Sequence, residues 1–347
     1  MHSLRIAMTV DPELPVPPGQ YGGIERVVDV LVRGLVANGH HVTLFANPHS
    51  TVQCELVPYP CTHSNGWSDT LKNAACVSTS VAKGRFNLIH SHGRLAYLLP
   101  LMPLALPKLM SYGREISPRS VAWGARLSSG TLQFTGVSQK LIQNVRHLAP
   151  CHVVYNGIDA GQYLFQSEVK SDAPLAFLGR LEKIKGPHLA IEVAKRCGRR
   201  LIIAGNVAPE HQTYFDTEIQ PHLDSDRVCY VGPVDDVQKN QMLGAAAALL
   251  MPILWEEPFG MVMAEALACG TPVIALARGA VPEVVNHGVS GFVCRDVDQM
   301  AAAVQLIGEI DRKACRKAFE EQFSGAVMVE EYLRVYESML ASQRRAA

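Results

Sequence analysis

Short apolar segments alternate with amphipathic segments along the chain, and each apolar run is typical of a buried strand. The first run covers residues 4–10, and a loop rich in proline and glycine follows over 11–23. A helix is predicted over 24–38 and a second strand over 41–46. This order makes a βαβ unit and indicates a parallel sheet. Because the second half repeats the pattern, we predict an α/β protein with two Rossmann-like domains whose parallel sheets face a cleft.

Length and composition narrow the class of protein. The chain of 347 residues exceeds the size of about 250–300 residues at which a single core usually stops growing. The net charge of zero gives no reason to expect a nucleic-acid partner. The nine cysteines form no Cys-x-x-Cys pair, which favours reduced thiols in a cytoplasmic protein over disulfides or zinc. The N-terminus lacks the apolar core of a signal peptide.

One apolar stretch, residues 95–110, has to be distinguished from a membrane span. It is shorter than the roughly 20 residues that a spanning helix needs, and it contains three prolines. We therefore predict a buried helix and loop here and no transmembrane segment, and we leave peripheral membrane contact open.

The segment 253–291 has the strongest chemical pattern. A loop with Gly260 opens a predicted helix over 261–269, and the start of a helix suits a phosphate because its N–H groups are free and its dipole is positive there. Glu257 precedes this helix and Glu265 lies about one turn inside it, so both carboxylates could face one pocket. An ionised carboxylate only accepts hydrogen bonds, which suits a ribose diol. An ordinary helix with surface glutamates explains the spacing equally well.

The order of residues in this segment resembles the C-terminal signature of family 4 retaining glycosyltransferases, which have the GT-B fold. The matching stretches are Glu257-Pro-Phe-Gly, Glu265-Ala, Ala268-Cys-Gly-Thr-Pro-Val, Gly279-Ala-Val-Pro-Glu-Val-Val and Gly288-Val-Ser-Gly-Phe-Val. The resemblance implies that Glu265 holds the donor ribose and that Glu257 lies by the sugar. It also implies that backbone groups of Phe259, Gly260 and Met261 bind the donor phosphates.

Two cations at the start of the second domain carry a further part of the resemblance. Arg180 and Lys185 each lie beside a glycine, just after a predicted buried strand. Arginine can bind a diphosphate through two nitrogens and lysine as a point charge. Either residue alone would be read as a surface charge, but the resemblance implies that both hold the donor diphosphate. In that role they replace a metal, so we expect no cofactor.

Two Asp-x-Asp pairs have a spelling that some glycosyltransferases use to bind a metal. They are Asp224-Ser-Asp226 and Asp296-Val-Asp298. Each pair also fits a turn or a helix N-cap, and we therefore predict no metal site.

Glycines and histidines carry the chemistry of the first domain. Gly22 and Gly23 let a backbone approach a phosphate or sugar closely, although a tight turn explains them as well. The resemblance places their loop by the donor phosphates and the acceptor. His90 and His92 share one face of a predicted strand and fit core histidines, a weak metal pair or a strand end that faces the cleft. The resemblance gives His92 a place beside the reacting sugar and leaves His90 structural.

The resemblance also sets the expected organisation. Residues 1–165 would form an acceptor-binding domain, residues 166–325 a nucleotide-sugar-binding domain, and residues 326–347 a terminal helix that crosses back to the first domain. We expect a retaining, metal-independent hexosyltransferase with UDP-glucose as the favoured donor and GDP-mannose as the second choice. The acceptor is a hydroxyl group of a sugar, a lipid-linked molecule or a small molecule.

Two other functions stay open at this stage. A sugar-nucleotide 2-epimerase shares the nucleotide-binding half but needs acid and base carboxylates in the first domain, where Glu25 and Glu115 are the only candidates. A non-catalytic nucleotide-sugar-binding subunit would keep the fold without the reaction, but the joint presence of the motif residues argues against it.

Overall fold

The computed structural model describes residues 3–19, 22–64, 66–224 and 226–346. Gln20 and Tyr21 of the predicted glycine loop lie outside the described residues, as do Ser225 of one Asp-x-Asp pair and the N-terminal Met1 and His2. The chain divides into two compact units, one made of residues 1–157 and 325–347 and the other of residues 158–324.

A parallel seven-stranded sheet forms the centre of the first unit, in the order β3-β2-β1-β4-β5-β6-β7. Its strands are β1 Arg5–Thr9, β2 His41–Ala46, β3 Glu55–Pro58, β4 Leu88–Ser91, β5 Lys108–Tyr112, β6 Leu132–Gly136 and β7 Cys151–Val153. The helices are α1 Gly23–Ala37, α2 Trp67–Lys83, α3 Pro118–Leu127 and α4 Gln139–Ile142. The central strands are almost fully buried, as expected for a parallel sheet covered on both faces.

The second unit contains a parallel six-stranded sheet in the order β10-β9-β8-β11-β12-β13. Its strands are β8 Leu175–Leu178, β9 Leu201–Ala204, β10 Val228–Tyr230, β11 Ala248–Met251, β12 Val273–Leu276 and β13 Gly291–Cys294. Its helices are α5 Pro187–Arg196, α6 Gln212–Glu218, α7 Asp236–Ala245, α8 Met261–Ala268, α9 Val281–Val284, α10 Val297–Gln305 and α11 Arg312–Gln322. The last helix of the chain, α12 (Gly325–Ala346), belongs to the first unit. The prediction of two parallel-sheet α/β domains is confirmed.

The division between the units differs from the expected boundary at residue 165. The N–H of Ile158 donates to the Phe323 carbonyl oxygen at 2.8 Å, and the hydroxyl of Tyr163 donates to Glu265. These bonds attach the segment 158–165 to the second unit, and the first unit therefore ends at Gly157.

Residues 95–110 contain two 3₁₀ turns, Leu95–Tyr97 and Leu99–Leu101, and the start of β5. Tyr97 and Leu101 are buried. Across the described residues, we find no helix with the length and apolar character needed to cross a membrane.

Candidate active site

Three loops after neighbouring strands bring the predicted donor residues to one edge of the second sheet. β8, β11 and β12 are adjacent and parallel, so their carboxyl ends lie together. Lys185 follows β8, Glu257 follows β11 and Gly279 follows β12. Open parallel sheets bind ligands at this edge. The strand order thus explains how residues distant in sequence reach one site.

The turn that carries Lys185 is fixed against the loop after β11. The N–H of Leu254 donates to the Ile184 carbonyl oxygen at 2.8 Å. Gly186 has a φ of +73°, and a Cβ atom there would lie 2.1 Å from the Pro252 carbonyl oxygen. Only glycine accepts both this backbone conformation and this approach, so Gly186 determines where Lys185 lies.

Glu257 accepts two hydrogen bonds on Oε2, one from Lys185 Nζ at 2.7 Å and one from Trp255 Nε1 at 3.0 Å. Lys185 Nζ also lies 4.8 Å from the centre of the Trp255 ring, which is a cation–π distance. The side chains of Lys185 and Glu257 are 19% and 11% exposed, and a charge-assisted bond is strong in such surroundings. The structure therefore brings two predicted catalytic residues together. Sequence reasoning missed Trp255, although it lies only two positions before Glu257.

The start of α8 lies directly beside Glu257. Gly260 is the N-cap residue, with a φ of +80° and no side-chain cap, and a Cβ atom there would lie 3.3 Å from Glu257 Cγ. The helix begins at Met261, as predicted. Phe259 is buried and its ring packs edge-on against Phe323, with 5.7 Å between the ring centres. The side chain of Phe259 therefore belongs to the core, and only its backbone can serve a ligand.

Glu265, in the second turn of α8, is bound through one oxygen. Its Oε1 atom accepts from Tyr163 Oη and from Lys239 Nζ, each at 2.8 Å. Lys239 also pairs with Asp236 Oδ1 at 3.2 Å. Burial, followed by the charge of Glu265, raises the pKa of Tyr163 far above its usual range, so the hydroxyl stays protonated and donates. The Asp235–Gln238 capping box marks the start of α7, but no sequence signal pairs Tyr163 or Lys239 with Glu265.

Arg180 has a different carboxylate partner from Lys185. One guanidinium nitrogen, Nη2, lies 2.8 Å from Glu182 Oε1, and His211 Nε2 lies 3.1 Å from Glu182 Oε2. Arg180 is 40% exposed, whereas Glu182 is 6% exposed. Glu182 thus holds the arginine at the end of β8 while leaving much of the guanidinium accessible.

In the first unit, His92 follows β4 and is buried. Its Nε2 atom has no hydrogen-bond partner in the described part of the chain, and burial lowers its pKa to about 3, so the imidazole is neutral. His90 behaves differently, because its ring nitrogens lie 2.6 Å from the hydroxyls of Tyr336 and Ser111. Both of its nitrogens are used within the core, which agrees with a structural role for His90.

The loops after β1 and β4 bring a set of charged residues together near His92. Arg94 Nε lies 3.6 Å from Asp11 Oδ1, and Arg94 Nη2 lies 3.4 Å from Glu13 Oε1. Burial and the charge of Glu13 raise the pKa of Asp11 to about 6. Burial likewise raises the pKa of Glu25. Sequence reasoning selected neither Asp11 nor Arg94.

Gly22 and Gly23, at the start of α1, differ in how much space surrounds them. Gly22 has a φ of +153°, and a Cβ atom there would lie 2.7 Å from Pro18 Cβ and 2.9 Å from Glu25 Oε2. A Cβ atom on Gly23 would meet nothing within 4 Å. Gly22 is therefore needed for close packing, and Gly23 leaves open space at the start of the helix.

The Asp-x-Asp pairs have local structural roles. Asp224 Oδ1 accepts from the N–H groups of Asp226, Arg227 and Val228, and these bonds lower its pKa. Asp296 caps α10 by accepting from the N–H of Gln299. Over the described ranges, no group of three or more His, Cys, Asp or Glu side chains could hold a metal ion.

Comparison with known proteins places the chain in a family. The family model described as "Glycosyl transferases group 1" matches residues 163–322, and the family model "Glycosyltransferase Family 4" matches residues 21–162. Spore coat protein SA of Bacillus subtilis is 23% identical, with 96% of this chain and 99% of the relative covered. N-acetyl-alpha-D-glucosaminyl L-malate synthase of Bacillus anthracis is 28% identical over 60% of each chain. Anabaena HepE, solved with UDP and glucose, superimposes with a TM-score of 0.72 at 19% identity, covering 96% of this chain and all of that one.

The fold and the matches define an enzyme of the glycosyltransferase class with the GT-B fold. The chain belongs to glycosyltransferase family 4, of the group 1 type. The family expected from the motif residues is confirmed.

Proposed function

We propose that this protein is a retaining, metal-independent glycosyltransferase that moves a hexose from a nucleotide sugar to a hydroxyl acceptor. The observation that carries the proposal is the Lys185–Glu257 pair beside the uncapped start of α8. A lysine charge and free helix N–H groups stabilise the negative charge that develops on a diphosphate as its glycosyl bond breaks. UDP is the favoured nucleotide, since HepE was solved with it, and UDP-glucose is the favoured donor ahead of GDP-mannose.

The other predicted residues have complementary roles in this proposal. Arg180 binds the donor diphosphate together with Lys185, and Glu265 binds the ribose. Backbone groups of Phe259, Gly260 and Met261 also bind the phosphates. Glu257 lies by the sugar, where its charge supports the positive charge that develops at the anomeric carbon.

The first unit contributes the acceptor side and His92. A neutral imidazole has one nitrogen that donates and one that accepts, so His92 can form a hydrogen bond with a sugar hydroxyl in either direction. We assign the loop of Gly22 and Gly23 a role in binding the donor phosphates and the acceptor, as the family resemblance implies. The leaving phosphate takes the acceptor proton, so the mechanism requires no separate base.

Measurement of nucleotide release tests the proposal. The protein is incubated with UDP-glucose or GDP-mannose, with water and then with a panel of sugars as acceptors. Lys185→Ala and Glu257→Ala should each lower kcat by about a hundredfold or more, the usual cost of losing one group that stabilises the transition state. Lys183→Ala is the matched control, because Lys183 lies in the same turn but is exposed. Near-normal transfer by both site variants would refute the assignment.

The two alternative functions have different products. Of the two carboxylates that an epimerase would use, Glu25 is buried with a raised pKa and Glu115 is exposed. Chromatography of the sugar nucleotide after incubation without acceptor distinguishes epimerisation from hydrolysis. A non-catalytic subunit would bind the nucleotide and yield no product at all.

The surface of the first unit supports peripheral contact with an anionic membrane. Residues 70–157 contain ten lysine and arginine residues, of which Lys108 is buried, and a single acidic residue, Glu115, in a chain of zero net charge. All exposed large hydrophobic side chains in the described part of this unit lie on α2, α3 or the connection between them. They are Trp67, Leu71, Leu99, Leu104, Trp123 and Leu127. Basic charge combined with exposed tryptophan and leucine is typical of a membrane-surface contact.

A further inference from the structure

Both hydrogen bonds to Glu265 are made to the same carboxylate oxygen. Tyr163 Oη and Lys239 Nζ each lie 2.8 Å from Oε1. The other oxygen, Oε2, accepts no hydrogen bond from the part of the chain that the structure describes. A carboxylate oxygen can accept two hydrogen bonds, so this arrangement keeps the full accepting capacity of Oε2 for a ligand.

Tyr163 is held at two points. Its carbonyl oxygen accepts from Arg316 Nη1 at 3.1 Å, and the same nitrogen donates to the Ala268 carbonyl oxygen at 2.7 Å. Ala268 is the last residue of α8, the helix that carries Glu265. Arg316 therefore ties the backbone of Tyr163 to the end of α8, while the tyrosine hydroxyl reaches back to Glu265.

Lys239 is held in a similar way. Besides Glu265, its ammonium group lies 3.2 Å from Asp236 Oδ1 and 5.4 Å from the centre of the Tyr163 ring. Its side chain is 12% exposed, and that of Glu265 is 9% exposed. Three partners around one ammonium group leave the lysine little freedom, so the cation stays on the Oε1 side of the carboxylate.

We propose that Tyr163 and Lys239 are positioning residues for the nucleoside: they fix Glu265 through Oε1, so that Oε2 is presented to the two hydroxyls of the donor ribose. The inference rests on the proposed function, in which Glu265 binds the ribose. A carboxylate already fixed in its binding orientation loses less conformational freedom when the ligand arrives. Neither residue touches the reacting atoms, so both act through Glu265 on donor affinity.

The test compares ribonucleotides with analogues that lack the ribose hydroxyls. Binding of UDP and of 2′,3′-dideoxy-UDP is measured by calorimetry on the full chain, with GDP and ADP and their dideoxy forms in parallel. Tyr163→Phe removes one hydroxyl, and Lys239→Met removes one charge but keeps most of the stem. We expect the Kd for the ribonucleotide to rise about tenfold in each variant, the usual scale for one hydrogen bond, and the Kd for the dideoxy analogue to stay the same.

Two control variants separate positioning from general stability. Tyr214→Phe removes a hydroxyl that lies 2.6 Å from His188 Nδ1, and Lys195→Met removes an ammonium group 2.9 Å from His222 Nδ1. Neither contacts Glu265, so both controls should keep the wild-type preference for ribose. In donor kinetics, Tyr163→Phe and Lys239→Met should raise KM while kcat changes little, because the reacting groups are unaltered.

Each outcome has a clear meaning. If the wild type prefers ribose and the two site variants keep that preference, or lose affinity for both analogues equally, the positioning role is overturned while Glu265 still binds ribose. If the wild type and Glu265→Gln bind the ribo and dideoxy forms equally well, the ribose role of Glu265 fails and the inference fails with it.

Discussion

Three buried carboxylates of the second unit each pair with a lysine or an arginine. The pairs are Glu257 with Lys185, Glu265 with Lys239 and Glu182 with Arg180. An ionised group removed from water is costly unless it is paired and hydrogen-bonded. Removing only the cation would leave an uncompensated buried charge. We therefore expect a single substitution in one of these pairs to lower the free energy of unfolding more than a substitution in a surface ion pair does. His92 in the first unit is the opposite case, because burial without a partner keeps it neutral.

The neutral state of His92 makes folding sensitive to acid. Its pKa is about 3 in the folded protein, against an ordinary value of 6.5 for an exposed histidine, so between these values only the unfolded chain takes up the proton. The contribution of neutral His92 to the free energy of unfolding is complete above pH 6.5 and is lost as the pH falls toward 3. As the pH is lowered through this window, we expect the free energy of unfolding to fall less steeply for His92→Leu than for the wild type. The two slopes should differ by up to about 1.4 kcal/mol per pH unit.

Urea unfolding at several pH values in this window measures the two slopes. His147→Leu is the control, because His147 is exposed, and it should keep the wild-type slope. Parallel curves for the wild type and His92→Leu would contradict the prediction.

At the scale of secondary-structure elements, backbone contacts between loops define the donor edge. The turn after β8 approaches the loop after β11 at Gly186, and the loop after β12 approaches Glu257 at Gly279. A Cβ atom on Gly279 would lie 2.2 Å from the Glu257 carbonyl oxygen. Behind this edge, Arg312 of α11 donates to the carbonyl oxygens of Gln166, Ala246 and Gly244 and to Thr271 Oγ1. One buried arginine of α11 therefore fixes three other segments of the second unit, at residue 166, at residues 244–246 and at residue 271.

Gly186→Ala should destabilise the second unit and displace Lys185. The positive φ alone costs about 1–2 kcal/mol for alanine, and the clash with the Pro252 carbonyl oxygen adds to it. Gly198→Ala is the matched control, because Gly198 has a φ of +61° but an added Cβ atom would meet nothing within 4 Å. We expect chemical denaturation to show a loss of about 1–2 kcal/mol for Gly198→Ala and a clearly larger loss for Gly186→Ala. Equal losses would show that the Pro252 contact is unimportant.

For the molecule as a whole, zero net charge conceals a marked separation of charge. Positive charge dominates residues 70–157, and the remaining residues carry the balancing negative charge. Helix α3 illustrates the surface that results, since Arg119, Trp123 and Arg126 are all exposed and lie four and three positions apart, on one face of the helix. Attraction of such a surface to anionic lipid is screened by salt within about 10 Å.

Vesicle sedimentation tests the membrane contact of the intact chain. Binding to vesicles of phosphatidylcholine and phosphatidylglycerol should exceed binding to phosphatidylcholine alone, and it should fall as salt is added. The double variant Arg119→Gln and Arg126→Gln should lose about 2 kcal/mol of binding, or about thirtyfold, at about 1 kcal/mol per basic residue.

The double variant Lys313→Gln and Lys317→Gln serves as control, because it removes two exposed charges from α11 in the other unit. If the control lost as much vesicle binding, or if the wild type showed no preference for anionic vesicles, this surface would be ruled out as the membrane contact.

The sequence predicted most strands, because buried parallel strands are short apolar runs that loops interrupt. The strand predicted over 41–46 matches β2, and the predicted start of α8 at Met261 is correct. The sequence pattern did not predict the strand β3 or the helices α3, α6 and α11. β3 is only half-buried, and α11 is rich in charge, so neither shows the apolar run on which the prediction depends.

By itself, the sequence determined the family, the α/β class and most of the candidate donor residues, because these depend on local periodicity and on the order of residues within short motifs. Only the tertiary structure decided which side chains meet: Trp255 and Lys185 at Glu257, and Tyr163 and Lys239 at Glu265. The physical reason is that these contacts join loops and helices whose proximity follows from the strand order of the sheet. That order is fixed by the packing of the whole unit, and no local pattern of hydrophobic and polar residues contains it.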